Sequence, residues 1–298
     1  MIPGSHVRDA LSGDSCAVAA PVFDTLSTRI AELHGWNICK LSGSIAKAAA
    51  LAMPDGLALT NMSDIVSICQ SICRATDVDL ILDIDDGGGT ALTVQRTVQE
   101  LEAAGAAAIE IEDNPVPRYF GEATSRHSLL VPVQEQVGRL QAAVAARRCD
   151  ATVIIARTGA LGGRVPTPED LDRVAAYSKT GVDAIMLPTE AMAGITREKM
   201  RSIHSAVAPL PLIVLGLPND MISDEQFLAE NLIRIRYIAN KPTFRIAVQA
   251  LDDCFDQLRH HDSLGELETR LAPDTRIQEI TRTFEYQHWS ERYTRVAQ

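Results

Sequence analysis

Asp83-Ile84-Asp85-Asp86-Gly87-Gly88-Gly89 follows the apolar run Val78 to Leu82 and precedes an amphipathic run from Thr90 to Ala104. An apolar segment that ends in carboxylates at alternating positions and then meets a run of glycines reads as a strand delivering oxygen atoms to a loop, with a helix behind it. On a strand, residues two apart share a face, so Asp83 and Asp85 can converge on one hard cation. The glycines allow a close approach of backbone and ligand that side chains would obstruct. An acidic glycine-rich turn that binds nothing has the same pattern, and this stretch by itself leaves both open.

Outward from this stretch, strand and helix patterns alternate. Ala17 to Phe23 reads as a strand and Thr25 to His34 as a helix; Trp36 to Leu41 is a second strand. Ser42-Gly43-Ser44 then opens the alanine-rich helix Ile45 to Met53, where free N–H groups and hydroxyls suit an anionic oxygen or simply cap the helix. Pro54-Asp55-Gly56 is a turn, and the helix Met62 to Thr76 leads into the strand Asp79 to Asp83. After the helix stopped by Gly105, the strand Ala107 to Ile111 closes on Glu112-Asp113-Asn114, so acids again stand at a strand end. Residues 115–131 form a long polar loop of the kind that serves as a lid or stays disordered. Further strands are expected at Thr152 to Ala156, Asp183 to Leu187, Pro211 to Leu215 and Ile233 to Ile238, with helices at 132–148, 167–180, 190–207, near 224–230, and 242–258.

Roughly eight strands, each followed by a helix, predict an α/β fold of the closed (β/α)8 type, with an open doubly wound sheet as the alternative. Ser42 to Ser44, Asp83, Asp85, Glu112, Arg157 and Lys241 all fall at or just after strand ends, the rim on which such barrels carry their chemistry. The expected division is a barrel over residues 1–260 and a charged, helical extension over 261–298 that docks on its own barrel or on a second subunit.

Composition narrows the function. A formal charge of −11 argues against nonspecific nucleic-acid or anionic-membrane partners, and no apolar run approaches the roughly 20 residues that span a bilayer. The N-terminus lacks a basic region followed by an apolar core, which places the protein in the cytoplasm. The six cysteines are scattered without a CxxC pair and read as buried thiols rather than as a zinc set.

Over nearly its whole length the chain resembles the isocitrate lyase and phosphoenolpyruvate mutase superfamily. The resemblance rests on Phe23-Asp24-Thr25-Leu26-Ser27-Thr28-Arg29-Ile30, Leu41-Ser42-Gly43-Ser44, Pro54-Asp55, the Asp83 to Gly89 stretch, Ile111-Glu112-Asp113 and Ile154-Ile155-Ala156-Arg157-Thr158. Within it the chain is most similar to the oxaloacetate decarboxylase group, sharing Phe120-Gly121 and the ending Glu285-Tyr286-Gln287-His288-Trp289-Ser290-Glu291-Arg292-Tyr293. The resemblance implies a barrel whose last helix is exchanged between subunits of a homodimer or homotetramer. It implies Mg2+, with Mn2+ as the substitute ion, held by Asp83, with Asp85, Asp55 and Glu112 acting largely through bound waters. Ser44 and Arg157, beside Ser42 and Gly43, would hold the carboxylate of a 2-oxo acid. The implied reaction is decarboxylation of oxaloacetate or a relative, with Arg157 and the ion stabilising the enolate left by CO2.

Departures from the family pattern carry information. Phe120 stands where lyases of isocitrate and methylisocitrate have a catalytic cysteine, which argues against those activities. Gly88 replaces an aromatic and should open the pocket floor, Gly159 replaces a polar residue, Asp86 adds negative charge, and Asn240-Lys241 stands where the decarboxylases have histidine. Lysine exchanges a proton near neutrality only when its pKa is depressed, so Lys241 is expected to act in proton handling or as a fixed charge. Two alternatives follow: another C–C or C–P bond reaction on a 2-oxo acid or substituted malate, and a barrel that has lost turnover and serves in binding or assembly.

Overall fold

The computed structural model describes residues 3–55, 60–115, 130–161, 165–188, 194–261 and 263–293. Most of the long loop at 115–131, with Phe120 and Gly121, lies outside the described residues. Contacts divide the chain into two compact units, Met1–Pro242 and Thr243–Gln298.

The first unit is a closed barrel of parallel strands in sequential order. Its strands are β1 (Ala17–Val22), β2 (Ile38–Leu41), β3 (Asp79–Asp83), β4 (Ala108–Glu112), β5 (Val153–Arg157), β6 (Ala184–Leu187), β7 (Leu212–Leu215) and β8 (Ile233–Tyr237), with β8 pairing back onto β1. The (β/α)8 expectation therefore holds, and the open-sheet alternative falls with the β1–β8 pairing. Helices alternate with the strands: α1 (Ser5–Ser12), α2 (Thr25–Leu33), α3 (Gly43–Leu51), α4 (Met62–Ala75), α5 (Ala91–Ala104), α6 (Val133–Ala146), α7 (Pro168–Ser178), α8 (Arg197–Val207), α9 (Asn219–Ile222) and α10 (Glu225–Glu230).

Local chemistry fixes the helix ends. Asp24, Asn61, Thr90 and Thr167 each close a reciprocal capping box with the residue three positions on. Helix α8 starts at Arg197, where Thr196 caps it by accepting from the Lys199 amide; residues 190–193 of the expected helix lie outside the described residues. Helix α3 starts at Gly43, so Gly43 and Ser44 belong to its first turn instead of to a loop before it.

Alternation along the strands sorts side chains into two cores. Leu80, Leu82, Ile109, Ile111, Ile154 and Ala156 pack outward beneath the helices, whereas Ile81, Ala108, Val153, Ile155, Ala184, Met186 and Ile213 fill the barrel interior. At the N-terminal end of the strands the interior is closed by α1, a helix that no sequence pattern had suggested. The buried Asp79 carboxylate accepts from the amides of Gly4 (2.8 Å) and Val7 (2.9 Å). Gly4 is required there: it has φ 96°, and an added Cβ would lie 2.2 Å from the Ala151 carbonyl oxygen.

The second unit contains most of α11 (Pro242–His260), a 3-10 turn at Gly265–Arg270, α12 (Asp274–Ile280) and α13 (Thr283–Tyr293). No residue of these helices is buried, and Ile246, Leu251, Phe255 and Leu258 of α11 are exposed. Within α13, Tyr286 and Trp289 meet edge to face at 5.1 Å between ring centres.

Candidate active site at the barrel mouth

The last inward-facing residues of β3, β4 and β5 are Asp83, Glu112 and Arg157, and strand register sets them side by side: Asp83 pairs with Glu110, and Glu112 with Arg157. Arg157 Nη1 donates to Asp83 Oδ2 at 2.8 Å and to Glu110 Oε1 at 2.9 Å, and Nη2 contacts Glu112. The guanidinium is buried, and burial opposes its charge, but Glu112, Asp83 and Glu110 outweigh that and hold it protonated. Burial likewise works against the Asp83 carboxylate, yet Arg157, Lys40 and Lys47 hold its pKa below the usual carboxylate range.

One layer deeper is a charged cluster that the sequence reading missed. Glu110 accepts from Lys40 Nζ at 2.7 Å and from the Tyr237 hydroxyl at 3.2 Å, and the Lys40 ammonium sits 5.2 Å from the centre of the Tyr237 ring. Burial and the neighbouring Glu110 push the Tyr237 pKa up, so the phenol remains a donor. Three carboxylates, two cations and a phenol thus stack inward from the mouth. The signal was present as alternation: Glu110 and Glu112 share one strand face, as do Lys40 and Ser42.

The loop after β3 shapes one wall. Asp85 has φ 52°, and Gly87, Gly88 and Gly89 have φ 72°, 100° and 93°, so this turn needs residues that accept left-handed backbone. Asp86 accepts from the Gly88 amide at 3.0 Å and lines the cleft beside Asp85. A cleft of about 220 Å³ opens here, lined by Gly43, Lys47, Asp83, Asp85 and Gly87 to Gly89, with Met62 and Ile65 behind. Gly88 lines it, as its expected role in the pocket floor requires.

The opposite wall comes from α3. Ser42 is its N-cap residue but makes no side-chain capping bond; its Oγ lies 3.2 Å from Ser44 Oγ. The two hydroxyls thus lie against each other at the start of α3, and the Ile45 and Ala46 amides donate to the Ser42 carbonyl oxygen. Lys47, one turn further and buried, contacts Asp85 and donates to Asp55 Oδ1 at 3.2 Å; Asp55 itself is exposed. Burial opposes the Lys47 charge, but Asp85 and Asp55 raise its pKa above normal. Asp85 moves up as well, because burial and the adjacent Asp83 outweigh the pull of Lys47.

Glu112 is positioned from behind by the amide of Asn114. A Cβ on Gly159 would stand 3.2 Å from Asn114 Oδ1 and 3.1 Å from Leu130 Cδ2, so glycine is what this packing accepts. Asp113 is turned away from the mouth and accepts from Thr158 Oγ1 (2.7 Å), the Gly159 amide (2.9 Å) and the Tyr177 hydroxyl (2.9 Å). Lys241 is exposed, with no hydrogen bond or ion pair among the described residues. The structure thus gathers Ser42, Gly43, Ser44, Asp83, Asp85, Glu112 and Arg157, links Asp55 through Lys47, and leaves Lys241 unpartnered in solvent.

The donors fit a hard divalent cation, being carboxylate oxygens throughout. Gly43 keeps the space beside them clear: a Cβ there would fall 3.1 Å from the Asp83 carbonyl oxygen, 3.5 Å from Asp85 Oδ1 and 3.7 Å from Asp83 Cγ. Among the described residues no three His, Cys, Asp or Glu side chains form a ready metal cage, and a Mg2+ ion that keeps most of its waters needs none.

A parallel barrel with paired acids and a buried arginine at the C-terminal ends of its strands has the layout of a barrel enzyme. The family model described as phosphoenolpyruvate phosphomutase matches residues 8–259, and the chain belongs to that family. It is 41% identical over 248 residues to an oxaloacetate decarboxylase of Rhodopseudomonas palustris (strain BisB18), covering 83% of this chain and 82% of that one. The phosphoenolpyruvate phosphomutase structure from Streptomyces platensis subsp. rosaceus superposes with a TM-score of 0.83 at 25% identity, covering 98% of this chain and 100% of the other. A phosphonopyruvate hydrolase in complex with oxalate and Mg2+ superposes with a TM-score of 0.82 at 27% identity, covering 99% and 100%.

Proposed function

We propose that the chain is a Mg2+-dependent decarboxylase of oxaloacetate or a close 2-oxo acid. The observation that carries this reading is the 2.8 Å pair of Asp83 and Arg157 at the barrel mouth, a buried acid for a hard cation beside a permanent cation for a carboxylate. The names of similar proteins support it, as does the Mg2+ in the phosphonopyruvate hydrolase complex.

When bound, the divalent ion supplies Lewis-acid stabilisation of developing negative charge. Asp83 would hold it directly, and Asp85, Asp55 and Glu112 through water. The N-terminal turn of α3, with the adjacent Ser42 and Ser44 hydroxyls, would bind a carboxylate. Arg157, held by Glu110, adds a fixed positive charge where the enolate forms as CO2 departs. A proton delivered to the enolate carbon would give the 2-oxo product, and we assign that proton, or attraction of the second carboxylate, to Lys241 after β8.

A second reading is favoured by the cleft at Gly88: a 2-oxo acid or substituted malate with a bulkier group, cleaved at a C–C or C–P bond. A homo-oligomer of two or four chains is supported by the exposed apolar residues of α11. A cytoplasmic setting is supported by six cysteines, all of them free. Among the described residues no helix is long and apolar enough to cross a membrane.

The test is loss of oxaloacetate with purified protein and Mg2+, then with excess chelator, corrected for decarboxylation by free metal. A protein-dependent, chelator-sensitive rate supports the first reading. No rate above background, beside turnover of a bulkier 2-oxo acid, supports the second.

A further inference from the structure

Helix α3 brings one charged side chain into the acidic rim. Lys47 interrupts the otherwise apolar run Ile45-Ala46-Lys47-Ala48-Ala49-Ala50, and only 2% of its side chain is exposed. Its ammonium contacts Asp85 and lies 3.2 Å from Asp55, drawing together two carboxylates that belong to different segments of the chain. Asp83, the neighbouring acid, is taken up by Arg157. This buried lysine lines the same cleft as Gly43, Asp83, Asp85 and Asp86, beside the space where the divalent ion would sit.

We infer that Lys47 is a resident cation that competes with the divalent metal for Asp85 and Asp55 and so sets metal affinity low. This rests on the metal-dependent reading above. The ammonium occupies the acceptor atoms that would otherwise bond metal-bound waters, and its charge opposes a second cation in the same rim. It also gives the carboxylates a partner when no metal is bound, so a buried acid is not left uncompensated. Loading would then need Asp85 to exchange an ammonium for hydrated metal.

The experiment is Mn2+ binding to chelator-stripped, full-length protein, read by the electron paramagnetic resonance of free Mn2+. It compares the wild type with Lys47→Met, Lys47→Gln and Lys47→Arg, with Asp83→Asn as the control, and circular dichroism confirms folding. Removing the charge is expected to tighten Mn2+ binding about tenfold or more, whereas Lys47→Arg should stay near wild type. Unchanged or weaker binding in folded Lys47→Met or Lys47→Gln, with wild-type binding still abolished by Asp83→Asn, overturns this inference and leaves the metal reading standing. Absence of Mn2+ binding in every variant, Lys47→Met included, overturns both.

Discussion

Glu110 Oε1 accepts from Arg157 Nη1 at 2.9 Å while its other oxygen accepts from Lys40 at 2.7 Å, and Glu110 is completely buried. One carboxylate thus balances two cations, one below it in the barrel and one at the mouth. Neutralising it with Glu110→Gln removes the carboxylate paired with Lys40 in a place water does not reach, while Arg157 keeps Asp83 and Glu112. Breaking a buried pair in this way costs about 3–5 kcal/mol. Urea denaturation should show a loss of that size, and a loss below about 1 kcal/mol would mean that Glu110 is not the counter-charge described here.

Asp83→Ala is expected to remove metal-dependent turnover, with a fall of at least about a hundredfold for a lost metal ligand. Arg157→Ala should instead show mainly as weakened substrate binding, a raised KM. Steady-state kinetics of both variants decide the matter. Near-normal constants in either would sink its assignment.

Lys241→His tests proton handling at the end of β8. Because the lysine is exposed and unpartnered, its replacement should shift stability by no more than about 0.5 kcal/mol. If a group that titrates near neutrality is what the site lacks, oxaloacetate decarboxylation should rise about tenfold or more. An unchanged rate in the folded variant counts against a proton role there.

Acid should expose the state of Asp83. A carboxyl held down in the folded protein stabilises it at every pH above the unfolded value of about 4, and that contribution fades as pH falls toward the folded value. In chelator, wild-type stability should therefore fall more steeply between about pH 4 and pH 2 than that of Asp83→Asn. Parallel curves would show that the carboxylate gains nothing from Arg157.

The barrel and much of its rim were legible because strand ends announce themselves. Asp83, Asp85, Glu112 and Arg157 each close an apolar run, and closure of the sheet brings consecutive ends together. Lys40 and Glu110 were not, since a charge inside an apolar strand gains a partner only when the register places the strands; Tyr237 looked like ordinary core until Glu110 stood beside it. Lys47 was hidden by its helix, where one lysine among alanines reads as a solvent-facing residue. Helix α1 escaped because what holds it is Asp79, more than seventy residues away.

Helix α1 and Asp79 have a consequence for traffic. They cap the N-terminal end of a barrel whose interior is already filled by side chains such as Ile81, Ile155, Met186 and Ile213, so the site opens at the C-terminal face. Substrate, divalent ion and released gas would then share one doorway. Any group that enters or leaves would pass the rim formed by Asp83, Glu112 and Arg157 at the C-terminal ends of the strands.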